Sequence, residues 1–263
     1  MLAISMTLFY FVVQTNAAPL PLKMVDMTHT VDENARHYPP FRDYELTVLL
    51  SNGTEEEGPW VQVDEHSSST HAGTHMDSPS HFVPGGLNID QIPIDQLIGP
   101  AAVIDVTERA SLNPDTGATV TDLIHWENST GQSLNGTIVL IRSGWGSKYR
   151  NLTAYAGTSE KDASKMVFPA LEPEAAQWLV DNRKIKGIGS DTISFDKGTS
   201  LDLLCHRILL GHGIFGLENV ANMELIPVYG ATLHVMPMKI AKASGSPTRV
   251  VATFPDVIFS QPS

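Results

Sequence analysis

His66-Ser67-Ser68-Ser69-Thr70-His71-Ala72-Gly73-Thr74-His75-Met76-Asp77-Ser78-Pro79-Ser80-His81-Phe82 is the stretch on which the reading of this chain turns. Four of the ten histidines fall in it, together with an aspartate. Imidazole nitrogen and carboxylate oxygen are the donors that zinc or manganese uses where thiolates are absent. The spacing of His71 and His75 would suit one face of a helix, but Ser, Gly, Thr and Pro crowd the stretch and disfavour helix. It is therefore read as a loop wrapped around a metal, with Gly73 permitting a tight bend. Asp77, two residues past His75, falls on the same side of an extended chain, where it could bind one metal or bridge two. His81 follows the backbone turn at Pro79. It is either a further ligand or a general acid/base, since a divalent metal lowers the pKa of bound water to about 7.

Outward from that loop, β-branched runs bounded by Gly, Pro or Asn predict strands over Ala101–Val106, Thr137–Arg142, Gly187–Ser190, Gly213–Glu218, Thr232–Met238 and Thr248–Phe254. Helix is expected over Pro173–Asn182, where Pro173 takes a favoured first-turn position and Glu174 complements the helix N-terminus. Further helices are expected over Thr121–Glu127, with Thr121 as cap, and over Leu201–Leu210. The sum is an α/β domain with a mixed sheet. No fixed-period repeat, low-complexity tract or Gly-X-Ser-X-Gly nucleophile elbow is present.

The formal net charge of −12 repels phosphate backbones and anionic lipid, which argues against nucleic acid or bilayer as partner. Residues 1–17 read as a signal peptide, apolar from Leu2 to Val13 and followed by small residues that allow cleavage after Ala17. Residues 18–263 then form the mature domain, free of the membrane once the leader is removed. Asn-X-Ser/Thr sequons at Asn52, Asn128, Asn135 and Asn151 lie in polar, turn-like stretches and agree with a secreted, extracellular glycoprotein. Cys205 is the single cysteine, so there is no intramolecular disulfide. A lone cysteine is ordinarily a small buried hydrophobe.

His71-Ala-Gly-Thr-His75-Met-Asp77-Ser-Pro79-Ser-His81 resembles the His-X-Gly-Thr-His-X-Asp-X-Pro-X-His motif of the cyclase-like metal-dependent hydrolases, the family of kynurenine formamidases and isatin hydrolases. Val25-Asp26-Met27-Thr28-His29 is similar to that family's opening strand, and Leu140 to Trp145 and Phe168 to Ser194 resemble its later segments. The resemblance implies an α/β/β swivelling-domain architecture and a homo-oligomer, dimer or tetramer. It implies His71, His75 and Asp77 as metal ligands, with His206 and Glu218 completing the set, and His81 as proton donor and acceptor. It implies one or two divalent metals per chain, zinc or manganese. Isatin hydrolases typically carry Gln where Glu218 stands, so Glu218 leans toward the formamidase pattern. On the residues alone, His206 in an apolar helical run is more often a core or capping group, and His212 competes with it. A Trp that often precedes Pro in the family is replaced by Tyr38 in His37-Tyr38-Pro39-Pro40. Tyr38 is taken as the corresponding stacking residue. Phe41 and Trp60 are further aromatic candidates, and Asp191 and Ser194 are candidates for lining the pocket or making a turn.

The expected activity is hydrolysis of a carbon–nitrogen amide bond in a small, aromatic substrate by metal-activated water, as an arylformamidase-like enzyme of tryptophan catabolism. The alternatives are a cyclic-amide (isatin-like) hydrolase and a secreted metal- or ligand-binding protein without catalysis.

Overall fold

The computed structural model describes residues 21–53 and 58–256. The signal peptide expected over residues 1–17 lies outside these, as does part of the Asn52 sequon, including the Asn52 side chain. The strands in chain order are β1 (Leu22–Asp26), β2 (Glu45–Asn52), β3 (Val61–Ser67), β4 (His75–Asp77), β5 (Ile98–Asp105), β6 (Gly117–Ala118), β7 (Ile138–Arg142), β8 (Ala170–Leu171), β9 (Gly187–Ser190), β10 (Phe215–Glu218), β11 (Thr232–Pro237) and β12 (Gly245–Pro255). The helices are α1 (Thr107–Leu112), α2 (Val120–Thr130), α3 (Leu152–Ala156), α4 (Pro173–Asn182) and α5 (Leu204–Gly211).

Alternation along β7 sorts the core into two layers. Ile138 and Leu140 join one apolar cluster with Met76, Leu217 and Val235. Val139 and Ile141 join another with Leu123 and Trp126 of α2, Ala176 and Leu179 of α4, and Leu209 of α5. A strand apolar on both faces is what a parallel strand covered on both sides requires. β5, β7, β9 and β10 pair in parallel in that order, with helices over one face.

The sheet is mixed, as expected, and it closes. Its order is β1-β12-β11-β5-β7-β9-β10-β4, and β4 also pairs with β12. The long β12 makes this possible, because it meets β4 through Gly245–Pro247 and β1 through Val251–Pro255 along one edge. β4 is thus the closing strand, antiparallel to both neighbours. This corrects the loop reading of residues 71–77. The first part bends at Gly73, whose φ is +65°. The second part is a fully buried strand, because edges offered by β10 and β12 satisfy its backbone and outweigh its poor β propensity.

Pro173–Asn182 and Gly187–Ser190 fall where expected. The cap of α2 is Thr119 rather than Thr121: its hydroxyl accepts from the Asp122 amide, and the Asp122 carboxylate accepts from the Thr119 amide. α5 starts at Leu204, later than expected, because Leu203 is left-handed at φ 50°. β10 starts at Phe215 because Gly213 turns at φ +76°. The β2–β3 ribbon had no sequence expectation. It forms a separate two-stranded sheet with exposed Leu46, Val48, Leu49, Val61 and Val63.

Candidate metal centre

Strand geometry places the first ligands. His75 and Asp77 share one face of β4 because side chains alternate, and Met76 between them enters the core. In the antiparallel register with β10, Glu218 stands directly opposite His75. Directly opposed residues project to the same face, so Glu218 joins them. His206 comes from the first turn of α5, which packs over that face. His71 lies on the bend before β4, its ring over Gly245. A Cβ at Gly245 would come within 2.3 Å of the imidazole, so glycine is needed for that approach.

The five side chains are buried and converge. His75 Nε2 lies 3.3 Å from Asp77 Oδ1 and 3.3 Å from Glu218 Oε2. His206 Nε2 lies 3.3 Å from Asp77 Oδ2 and 3.1 Å from Glu218 Oε1. Each carboxylate therefore turns one oxygen to His75 and the other to His206. His71 Nδ1 lies 2.7 Å from Asp77 Oδ1. The remaining ring nitrogens are held from behind. His75 Nδ1 donates to the Gly73 carbonyl at 2.9 Å, and His71 Nε2 meets Ser244 Oγ at 3.0 Å. His206 Nδ1 meets Asp196 Oδ2 at 2.6 Å.

A divalent cation fits this donor set. His75 Nε2 and Asp77 Oδ2 are buried with no hydrogen-bond partner, in a protein interior where such atoms are ordinarily paired. Ligand atoms of His71, Asp77 and His81, and those of His75, Asp77 and Glu218, lie within 4.8 Å of one another, with Asp77 common to both groups. The electrostatics agree. Burial alone would lower the pKa of His75, but the Asp77 and Glu218 carboxylates beside it outweigh burial and raise it to about 10. His206 is likewise raised against the effect of burial, by Asp196, Asp77 and Glu218. Burial would raise Asp77, yet His71, His206 and His75 hold it well below the usual carboxylate range.

The family model Cyclase matches residues 25–197. The chain belongs to the cyclase family. It is 29% identical over 230 residues to the isatin hydrolase of Roseibium aggregatum, covering 84% of each chain. It is 26% identical to the kynurenine formamidase of Salinibacter ruber, covering 88% of this chain and 97% of that one. Its structure matches isatin hydrolase A from Labrenzia aggregata bound to benzyl benzoate at a TM-score of 0.80 and 31% identity, over 89% of this chain and 94% of that one. As a member of the cyclase family the chain is a metal-dependent hydrolase of carbon–nitrogen bonds, acting on a small molecule.

Above the ligands of this cyclase-family centre lies a cavity of about 280 Å3. His71, His81, His206 and Glu218 line one side, and Tyr38, Pro39, Phe41, Phe82, Ser194 and Leu203 line the rest. His81 sits on the short turn Pro79–His81, its ring stacked on His71 at 4.0 Å. Burial is the main cause that lowers its pKa to about 4, so its imidazole is neutral at pH 7.

Tyr38 and Ser194 line this cavity, and Asp191 lies outside it. Its buried carboxylate accepts from the amide and hydroxyl of Ser143 and so holds the turn after β7. His212 is exposed, and its ring meets the Ile208 carbonyl. Phe41 reaches the cavity, while Trp60 is exposed beside the ribbon. Cys205 is buried with its thiol pKa pushed up, first by burial, so it is no nucleophile. Asn135 and Asn151 are exposed at turns or caps, but Asn128 lies within α2 rather than in a loop. Its helix runs on past the polar residues that suggested a turn, as far as Gly131 in the left-handed cap.

Sequence reasoning missed the residues that hold the ligands from behind. Ser244 sits beside Gly245 on the far side of the chain, and Asp196 lies two residues past Ser194. Ser244 carries no local signal because its partner His71 is 173 residues away, and Asp196 meets His206 only through the turn that leads into α5. A larger cavity of about 520 Å3, lined by His29, Thr74 and Thr248, contains none of the expected site residues.

Proposed function

We propose that the chain hydrolyses the amide bond of a small aromatic substrate, with N-formylaniline compounds of the N-formylkynurenine type as the favoured class. The observation that carries this reading is the cavity, walled by the rings of Tyr38, Phe41 and Phe82 and floored by His81, His206 and Glu218. Such a cleft suits a planar ring against its apolar walls with a polar bond turned to the floor. A bound divalent ion, zinc or manganese, supplies an acidified water and a Lewis acid for the carbonyl. His81 performs the proton work: its neutral imidazole takes the proton of the attacking water and returns it to the leaving nitrogen. Tyr38, Phe41 and Phe82 orient the aromatic part and exclude bulk water. Glu218 favours the formamide class, because isatin hydrolases typically carry Gln at the matching position.

A second reading is ring-opening of a cyclic amide. It is favoured by the isatin hydrolase structure that overlays on 89% of the chain. Zinc- and manganese-loaded protein assayed on N-formylanilines, isatin-like lactams and lactones separates the two. The first reading expects formamides to turn over fastest, with loss of activity on chelation. Faster lactam opening would support the second reading. Inertness on the whole panel would leave a metal- or ligand-binding protein.

We also infer that the mature chain is secreted and self-associates. Support for secretion comes from the leader-like residues 1–17 and from the exposed sequon residues Asn128, Asn135 and Asn151. Support for a dimer or tetramer comes from the β2–β3 ribbon, since a lone two-stranded ribbon with apolar side chains in water is marginally stable. N-terminal sequencing of secreted protein, expected to begin at Ala18, and light scattering check the two inferences.

A further inference from the structure

His206 is a ligand that strand register does not aim. His75, Asp77 and Glu218 are directed by β4 and β10, whereas His206 depends on how α5 is set over the sheet. Two contacts fix its ring. Phe195 stacks on one face, with centroids 3.7 Å apart and planes 17° from parallel. Asp196, fully buried, holds its edge. Asp196 Oδ2 accepts from His206 Nδ1 at 2.6 Å and from the His206 amide at 2.9 Å, and Oδ1 accepts from the Cys205 amide at 2.8 Å.

We propose that Asp196 is the positioning residue for His206, holding the proton on Nδ1 so that Nε2 presents its lone pair to the metal. A carboxylate can only accept, so the nitrogen facing it must be the donor. His71 and His75 are held from behind by neutral groups, a hydroxyl and a carbonyl. Asp196 is the anionic partner among these, and a carboxylate behind a ligating imidazole both fixes its tautomer and strengthens it as a donor to the metal. Asparagine at 196 can turn its NH2 toward Nδ1, which moves the proton to Nε2, on the side where the metal belongs. The competing role is purely structural: Asp196 also caps the amides at the start of α5.

The inference rests on the metal reading of this centre, and the test separates the two. Zinc affinity is measured by competition with a chromophoric chelator for the unmutated protein, Asp196→Asn, His206→Ala and the double variant. Asp196→Asn is expected to bind zinc about 10- to 100-fold more weakly. The double variant should bind no more weakly than His206→Ala, because Asp196 acts through His206. Unchanged affinity in folded Asp196→Asn, or losses that add in the double variant, would overturn the proposal and leave Asp196 as a helix cap. Failure of the unmutated protein to bind zinc would instead defeat the metal reading, and the proposal with it. Should Asp196→Asn not fold, nitrogen NMR of the unmutated zinc-loaded protein decides. A protonated Nδ1 on His206 is expected, and a protonated Nε2 would overturn the proposal.

Discussion

β3 and β4 are neighbours in the chain and use the same kinds of residue. β3 carries Asp64, Glu65 and His66, and β4 carries His75 and Asp77. On β3 nearly every residue is exposed, and its polar groups make surface contacts: Gln62 donates to Asp64, and Tyr44 lies against His66. On β4 every residue is buried. The difference lies in the neighbours. β3 has one partner strand, whereas β4 has β10 on one edge and β12 on the other, and α5 above. Acidic and imidazole groups become a metal centre where burial strips them of water and other segments bring complementary donors. On an exposed ribbon the same groups are solvated and screened.

The largest break in this contrast is expected from Asp77→Ala. It removes the carboxylate that faces both His75 and His206, and with it metal content and turnover, both read by metal analysis and assay. His81→Ala is expected next. It should retain the metal while turnover falls by about 10²- to 10⁴-fold, the usual worth of a positioned acid/base group. Loss of metal from His81→Ala would make it a ligand rather than a proton carrier.

A smaller effect sharpens the electrostatic half of the comparison. In the metal-free centre, Asp77 and Glu218 outweigh burial and raise His75 to about 10, so its ring is protonated at pH 7, and with Asp196 they shift His206 in the same direction. Ligation needs neutral imidazole, so metal uptake expels protons, and affinity falls as pH falls. Calorimetry at pH 7 in buffers of different ionisation enthalpy should register this release, and a heat independent of buffer would contradict it. The smallest effect is expected on β3. Asp64→Ala and His66→Ala should leave metal content unchanged and stability within about 0.5 kcal/mol, as denaturant unfolding would measure.

The legibility of the molecule follows the same divide. Parallel strands such as Gly187–Ser190 and the helix Pro173–Asn182 were readable because their signals are local: β-branched runs, a first-turn proline, turn residues at the ends. His71, His75, Asp77 and His81 were readable as a cluster because they are close in sequence. That β4 is a strand was not readable, because its stability comes from edges supplied by residues 215–218 and 245–247. Asp196 and Ser244 were invisible for the same reason, since each acts on a ligand that only the fold brings near. Asp191 stayed open between two roles because a polar residue between two apolar runs looks alike whether it lines a pocket or holds a turn.

The central claim is that the centre closes only when α5 and β10 meet β4. Zinc and manganese content per chain, measured on the unmutated protein and on a His206→Ala, Glu218→Ala variant that keeps every residue from His71 to His81, tests it most directly. Stoichiometric metal is expected in the first and little or none in the second. Full retention of metal by a folded variant would contradict it, and would reduce the centre to the β4 segment alone.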